Sequence, residues 1–233
     1  MVTLTERFAL VRGRIADAEQ RSGRAPGAVT LIGVVKTQSP EVVAAAVRSG
    51  LLDLGENRVQ EAESHQRAVG RTQARWHMIG HLQGNKAGKA LECFDLIHGV
   101  DDAGLAGTLA RRARAAGRVM PVLVEVNVSG EGSKFGVAPA GLPELLERIA
   151  PLEGIELRGL MTVGAPVARP GDARPAFAEL RALREQGERL LGRKLPELSM
   201  GMSGDYEVAI EEGATFVRVG TALFGGRAPR SEK

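Results

Sequence analysis

The chain has 233 residues, 43% of them apolar, and 31 Lys and Arg stand against 28 Asp and Glu. That length fits one large domain of α/β-barrel size, and a net charge of +3 without a block of like charges excludes a basic nucleic-acid-binding arm. Six Phe, one Trp and one Tyr offer little surface for stacking bases, no apolar run approaches the ~20 residues a bilayer needs, and a lone Cys93 permits no internal disulfide, so a soluble cytoplasmic protein is expected.

Residues 3–22 space Leu4, Phe8, Val11, Ile15 and Ala18 at helical intervals among charges, which predicts an amphipathic helix stopped by Gly23. Residues 29–35 read as a buried strand. Lys36 follows, then a Ser39 N-cap, Pro40 at the first helical position and a helix closed by Gly50. The unit recurs, with strands expected near 29–36, 52–57, 75–80, 96–101, 119–128, 156–163, 198–203 and 216–219. Asp101 is read as the cap of the helix carrying Leu105 and Leu109, and Asp172 as the cap of the helix carrying Phe177, Leu180 and Leu183. Gly117, Gly192 and Gly213 are read as helix stops.

Strict βα alternation implies parallel strands, and eight near-continuously apolar ones imply closure into a single (β/α)8 TIM barrel spanning 1–233. Only residues 221–224 separate the last strand from Gly225 and Gly226, too few for a full eighth helix, so the N-terminal helix is expected to cover that gap. A closed barrel needs no partner to cover a sheet edge, which predicts a monomer.

Parallel barrels work at the C-terminal ends of their strands. Those ends carry Lys36, Glu56 and Asn57, His77 and His81, Asp101, Asn127, Met161, Ser203, and then Arg218 with Gly220 and Thr221. Lysine is scarce here, only six of the 31 cations, so one that ends an apolar strand asks for an explanation. Desolvation would lower the pKa of Lys36 and leave an amine able to attack an aldehyde; a lysine snorkelling to the barrel mouth is the alternative. Gly201, Ser203 and Gly204 precede a helix running from about residue 205 to 212, where backbone N–H groups and the helix dipole favour an anion. Gly220 and Thr221 supply the other half of the usual barrel phosphate site. Either glycine turn alone reads as an ordinary tight turn; an amine facing both selects a phosphorylated aldehyde, of which pyridoxal phosphate is the common one.

Other chemistries find weaker support. His77 and His81 form an HxxxH pair, but Gly80 lies between them and no Glu does, which is a poor zinc motif. No P-loop or dinucleotide fingerprint follows a strand. Cys93 lacks a local nucleophile signature and reads as packed in a helix, while Arg111, Arg112, Arg114 and Arg118 read as a solvated helix face.

Seven ordered motifs carry a resemblance over residues 29–227: VVKTQ at 34–38, GENRVQE at 55–61, WHMIGHLQGNK at 76–86, VNVSGEGSKFG at 126–136, GLM at 159–161, LSMGMSGDYEVAI at 198–210 and VRVGTALFGGR at 217–227. They resemble those of the pyridoxal phosphate homeostasis proteins, the YggS or PROSC family. The resemblance implies a barrel like the N-terminal domain of alanine racemases, pyridoxal 5'-phosphate as cofactor, and Lys36 as the Schiff-base lysine. It further implies phosphate contacts from Ser203, Gly220 and Thr221, a ring-facing Arg218, and pocket-lining Asn57, His77, Asn127 and Met161. Val35 and Arg58 depart from the family pattern, where a small or hydroxylated residue and an aromatic are common, and both would alter the pocket rim.

The implied function is to hold and redistribute the cofactor, with apo-enzymes as recipients and no substantial catalysis. An amino-acid racemase is one alternative. Barrel racemases take a second base, a Tyr, from an additional β-domain for which this chain has no room, and the one tyrosine here is Tyr206. A cofactor-free barrel using Lys36 as an aldolase lysine is the other.

Overall fold

Eight parallel strands close into one barrel in sequence order, β1 pairing with β8 to complete the ring. They are β1 (Thr30–Val34), β2 (Asp53–Glu56), β3 (Arg75–Met78), β4 (Leu96–Val100), β5 (Met120–Glu125), β6 (Ile155–Met161), β7 (Glu197–Ser199) and β8 (Phe216–Val219). Around them lie α1 (Leu4–Arg21), α2 (Pro40–Arg48), α3 (Val59–Val69), α4 (Ala87–Cys93), α5 (Ala103–Ala115), α6 (Leu142–Ile149), α7 (Arg174–Leu191), α8 (Tyr206–Glu211) and the short α9 (Thr221–Phe224). This computed structural model describes residues 2–132 and 134–226; Met1, Ser133 and 227–233, with Arg227 of the last motif, lie outside the described residues. The fold is the (β/α)8 barrel that the alternating pattern predicts.

The first helix closes the ring of helices. A capping box starts it: the Glu6 N–H donates to Thr3 Oγ1 (3.2 Å) and the Thr3 N–H to Glu6 Oε2 (2.7 Å). Its buried face, Phe8, Val11, Ile15 and Ala18, packs beside α8 and α9. It therefore covers the side where α9 is only four residues long. The buried Glu19 carboxylate then accepts the N–H groups of Gly27 (3.1 Å) and Val29 (2.8 Å), which leads the chain into β1.

Two cap assignments change. Asp102, not Asp101, is the N-cap of α5, because its extended backbone lets its carboxylate accept the Leu105 N–H at 2.9 Å. Asp101 sits one residue earlier and instead accepts from the Gly136 N–H (3.4 Å) and faces His81 Nδ1 (3.6 Å). Asp172 caps a 3-10 turn, Pro170–Ala173, that precedes α7, with its carboxylate on the Arg169 N–H (3.3 Å). Gly117, Gly192 and Gly213 follow α5, α7 and α8 at positive φ, as the pattern predicts. Cys93 ends α4 buried, where desolvation pushes its thiol up, and the four arginines at 111, 112, 114 and 118 are exposed.

Two apolar bodies hold the fold. The large one lies between strands and helices; the small one, Leu96, Leu123 and Met161 with Phe216 against them, draws on β4, β5, β6 and β8. Burying each such side chain contributes roughly 1.5–3 kcal/mol. Asp53, His77, His98, Ser199 and Arg218 are buried as well, so polar groups fill much of the space the strands enclose. Among the described residues no helix is long and apolar enough to cross a membrane.

Candidate functional site

Lys36 lies two residues past β1. The Val35 N–H still donates to Gly55 O (3.1 Å), so the chain leaves the sheet at its C-terminal end with Lys36 half-buried. The next residue, Thr37, has φ 67°, the one non-glycine with positive φ among the described residues, and such a conformation costs about 1–3 kcal/mol. Surrounding bonds hold it there. The Gln38 N–H donates to Val35 O (3.0 Å), and Gln38 O meets His65 Nε2 (3.1 Å).

His65 is buried on α3 and its Nδ1 lies 2.5 Å from Oε1 of the buried Glu56. A carbonyl only accepts, so Nε2 must carry a hydrogen, and one further proton lies between ring and carboxyl. The Glu56 bond raises the His65 pKa against the opposing pull of desolvation, while burial raises that of Glu56 despite His65. The pair is therefore neutral overall and anchors the turn after Lys36. Sequence reasoning placed Glu56 on the rim and missed His65, although a histidine at the i+3 spacing of Val59 and Ala62 marks it as inward-facing.

The turns after β7 and β8 meet as predicted. Gly201 has φ 90°, and a Cβ there would stand 2.5 Å from Ala209 Cβ, so only glycine fits. Asp205 Oδ1 accepts the Met202 N–H at 2.6 Å. Ser203 Oγ accepts the N–H groups of both Gly220 and Ala222, each at 3.2 Å, which ties the two turns together with Thr221 exposed beside them. Gly220 packs on β1, its Cβ position 3.4 Å from Val34 Cβ. Lys36, two residues on from Val34, thus shares one seam of the barrel mouth with Ser203, Gly220 and Thr221. The hydroxyls of Ser203 and Thr221 and the amine of Lys36 on that seam suit a phosphorylated aldehyde, while the Gly220 and Ala222 N–H groups are held by Ser203 Oγ.

Arg218 is buried on β8, donating from Nη1 to Ser199 Oγ (2.6 Å) and from Nη2 to Thr162 O (2.7 Å). Burial lowers its pKa to about 10, against the pull of Glu125 and Asp205, so it remains a cation near neutrality. Glu125, at the end of β5, is pushed up to about 7 by burial and then by Asp101, with Arg218 acting the other way. It is an acid–base group that the sequence reading did not single out.

The remaining predicted residues spread further. Met161 belongs to the small apolar body with Leu96 and Leu123. Asn127 ties its own loop, its Nδ2 donating to Glu131 O (2.9 Å) and its Oδ1 accepting from Ser129 Oγ (3.0 Å). Asn57 and His81 line a cavity of about 680 Å3 with Arg58, Gln83 and Phe135, where His81 stacks on Phe135 at 4.0 Å. The buried His77 has both ring nitrogens taken, by His98 and Asp53. Among the described residues no cluster of three His, Cys, Asp or Glu is arranged to hold a metal ion.

A parallel barrel with this seam defines the class of alanine racemase N-terminal-domain barrels, and the family model for that domain matches residues 14–228. Closer relatives narrow the class. Proteins named pyridoxal phosphate homeostasis protein match from Aquifex aeolicus, 45% identical over 95% of this chain and 97% of that one, and from Pseudomonas aeruginosa, 44% identical over 97% of each. The chain belongs to the pyridoxal phosphate homeostasis protein family. PipY of Synechococcus elongatus, solved with pyridoxal phosphate bound, is 36% identical with a TM-score of 0.84 over 96% of this chain and all of that one. Alanine racemase of Clostridium difficile shares the fold, with 17% identity and a TM-score of 0.70 over 94% of this chain and 60% of that one.

Proposed function

We propose that the protein binds pyridoxal 5'-phosphate at the barrel mouth as a Schiff base on Lys36 and holds it for delivery to apo-enzymes in the cytoplasm. It would act as a monomer and without substantial catalysis of its own. The observation that carries this reading is the seam: Lys36 past β1, with the Ser203-bridged turn packed against Val34 through Gly220.

Ser203, Gly220 and Thr221 would hold the phosphate, Arg218 would face the ring, and Asn57, Asn127 and Met161 would shape the pocket around it. His77, read as pocket-lining from the sequence, would instead stand behind Arg218 with its ring nitrogens on His98 and Asp53. Bound there, the cofactor would supply an aldehyde with which the Lys36 amine condenses, releasing water and leaving a C=N bond that borohydride reduces. Two features favour holding over turnover. Arg218 remains cationic, so a ring nitrogen facing it would stay unprotonated and be a weaker electron sink, although an Arg partner still permits racemisation in the enzymes this barrel resembles, which leaves the second base to decide. Tyr206, the one tyrosine of the chain, is buried on α8 in the body of side chains between strands and helices.

Borohydride reduction of the loaded protein followed by peptide mapping tests the reading. The label is expected on the peptide containing Lys36 and is lost in Lys36→Ala. Labelling at Lys86 or Lys134 instead would overturn the assignment.

A further inference from the structure

A continuous line of hydrogen bonds runs from Arg218 through the space the strands enclose. Arg218 Nη1 on β8 donates to Ser199 Oγ on β7 (2.6 Å); Ser199 Oγ meets His98 Nδ1 on β4 (2.9 Å); His98 Nε2 meets His77 Nδ1 on β3 (3.0 Å); and His77 Nε2 meets Asp53 Oδ1 on β2 (3.0 Å). Asp53 Oδ2 then accepts from the exposed Arg75 (2.8 Å). All five residues from Arg218 to Asp53 are buried, Ser199 and His98 completely. Phe216 lies beside both imidazoles, its ring 5.6 Å from His77 and 5.5 Å from His98.

With both imidazoles neutral, the carboxylate end sets the protons along the line, because a carboxylate only accepts. From Asp53 upward, His77 Nδ1 and then His98 Nδ1 are left as acceptors, so Ser199, which accepts from Arg218, gives its own hydrogen to His98 Nδ1. Burial, then His77 and Arg218, hold His98 neutral, so its one ring hydrogen sits on Nε2 and is given to His77 Nδ1. His77 in turn gives the hydrogen on Nε2 to Asp53. At that end, burial is outweighed by the bonds from His77 and Arg75, so Asp53 is held below the usual carboxylate range. All the bonds point one way, from cation to anion, and links so ordered polarise one another.

We propose that Ser199, His98, His77 and Asp53 are positioning residues for Arg218: a one-way donor chain that fixes the guanidinium, ties its charge to the Asp53 carboxylate, and registers at His77 whatever binds against Arg218. The inference rests on the reading that pyridoxal 5'-phosphate lies with its ring against Arg218. Glu125 and Asp205 also act on the Arg218 charge from β5 and from the turn before α8. They stand outside the line, so a perturbation that travels along the line is separable from theirs.

Imidazole N–H resonances of histidine-labelled protein test this during titration with pyridoxal 5'-phosphate, and separately with inorganic phosphate, which meets only the phosphate turn. The cofactor is expected to shift the His98 and His77 resonances, and inorganic phosphate to leave both in place. In Ser199→Ala the His77 resonance is expected to persist, because its Asp53 bond remains, yet to lose most of its response. In His77→Gln the amide can accept from His98 and donate to Asp53, so the response at His98 should persist. A cofactor fixed at Lys36 by borohydride while His77 stays unmoved would overturn the chain, as would equal shifts with inorganic phosphate. The wild-type titration decides alone if Ser199→Ala does not fold. Failure of the binding reading looks different: no cofactor is fixed at Lys36, and the chain proposal falls with it.

Discussion

Glu125 shows how far a single side chain can depart from its ordinary behaviour when burial and neighbours disagree. Arg218 should keep this carboxyl ionised, but burial and Asp101 win and raise it from 4.5 to about 7. A folded-state pKa above the unfolded one means that the native state binds the proton more tightly. The stability this contributes is complete below about pH 4.5 and is lost as pH rises through about 7. Glu125→Gln keeps the shape and removes the ionisation, so it is expected to raise stability at pH 8 by up to about 3 kcal/mol and to change it little at pH 5. Denaturant unfolding of both proteins at the two pH values checks this; an equal change at both would assign the effect to packing. Lys36, Ser203, Gly220 and Arg218 stood out in the sequence because each follows or interrupts an apolar run, Arg218 lying between Val217 and Val219. Glu125 and His98 were not, because facing depends on register, which shifts within β5 between Val122 and Leu123 and within β4 between Ile97 and Val100.

At the scale of elements, burial and single hydrogen bonds outlast the regular ladder. The sequence reading carries several strands two to four residues too far, to 36, 80, 128 and 203, where the ladders end at Val34, Met78, Glu125 and Ser199. Val35, Ile79, Val126 and Met200 lie one residue beyond those ends, are buried, and each still donates its N–H to the neighbouring strand, so burial and single hydrogen bonds run on past the paired ladder. The one-residue slip from Asp101 to Asp102 has the same origin, since two adjacent carboxylates look alike until the backbone assigns one to the helix and one to the mouth. The turns after β7 and β8, the proposed phosphate site, meet in the structure through Ser203. Ser203→Ala removes the acceptor for two backbone N–H groups along with the proposed donor to phosphate. Hydrogen bonds to charged groups are worth about 1.5–3 kcal/mol, so pyridoxal 5'-phosphate affinity is expected to fall about tenfold or more. Unphosphorylated pyridoxal should bind the variant as it binds the parent. A variant that weakens pyridoxal alone would place the phosphate elsewhere.

At the scale of the whole molecule, closure governs what the protein can present to others. The eight strands leave no sheet edge, and α1 seals the side where α9 is too short to do so. A barrel racemase needs a second proton donor on the far face of the ring, supplied by a tyrosine from an additional domain. Here Tyr206 is buried on α8, where desolvation and then Glu207 raise its pKa, and a phenol so placed is a poor base for a ligand at the barrel mouth. On the proposed reading one face of the ring would have the Lys36 amine, and the sequence holds no second tyrosine to serve the other. The loaded protein is therefore expected to restore activity to an apo-enzyme that depends on pyridoxal 5'-phosphate while showing no meaningful turnover of alanine or other common amino acids. Both assays belong on the same purified fraction, with Lys36→Ala beside it. Racemisation that follows the protein peak and vanishes in Lys36→Ala would make the molecule an enzyme, and would require a proton donor other than Tyr206 to reach the ring from the loops of the mouth.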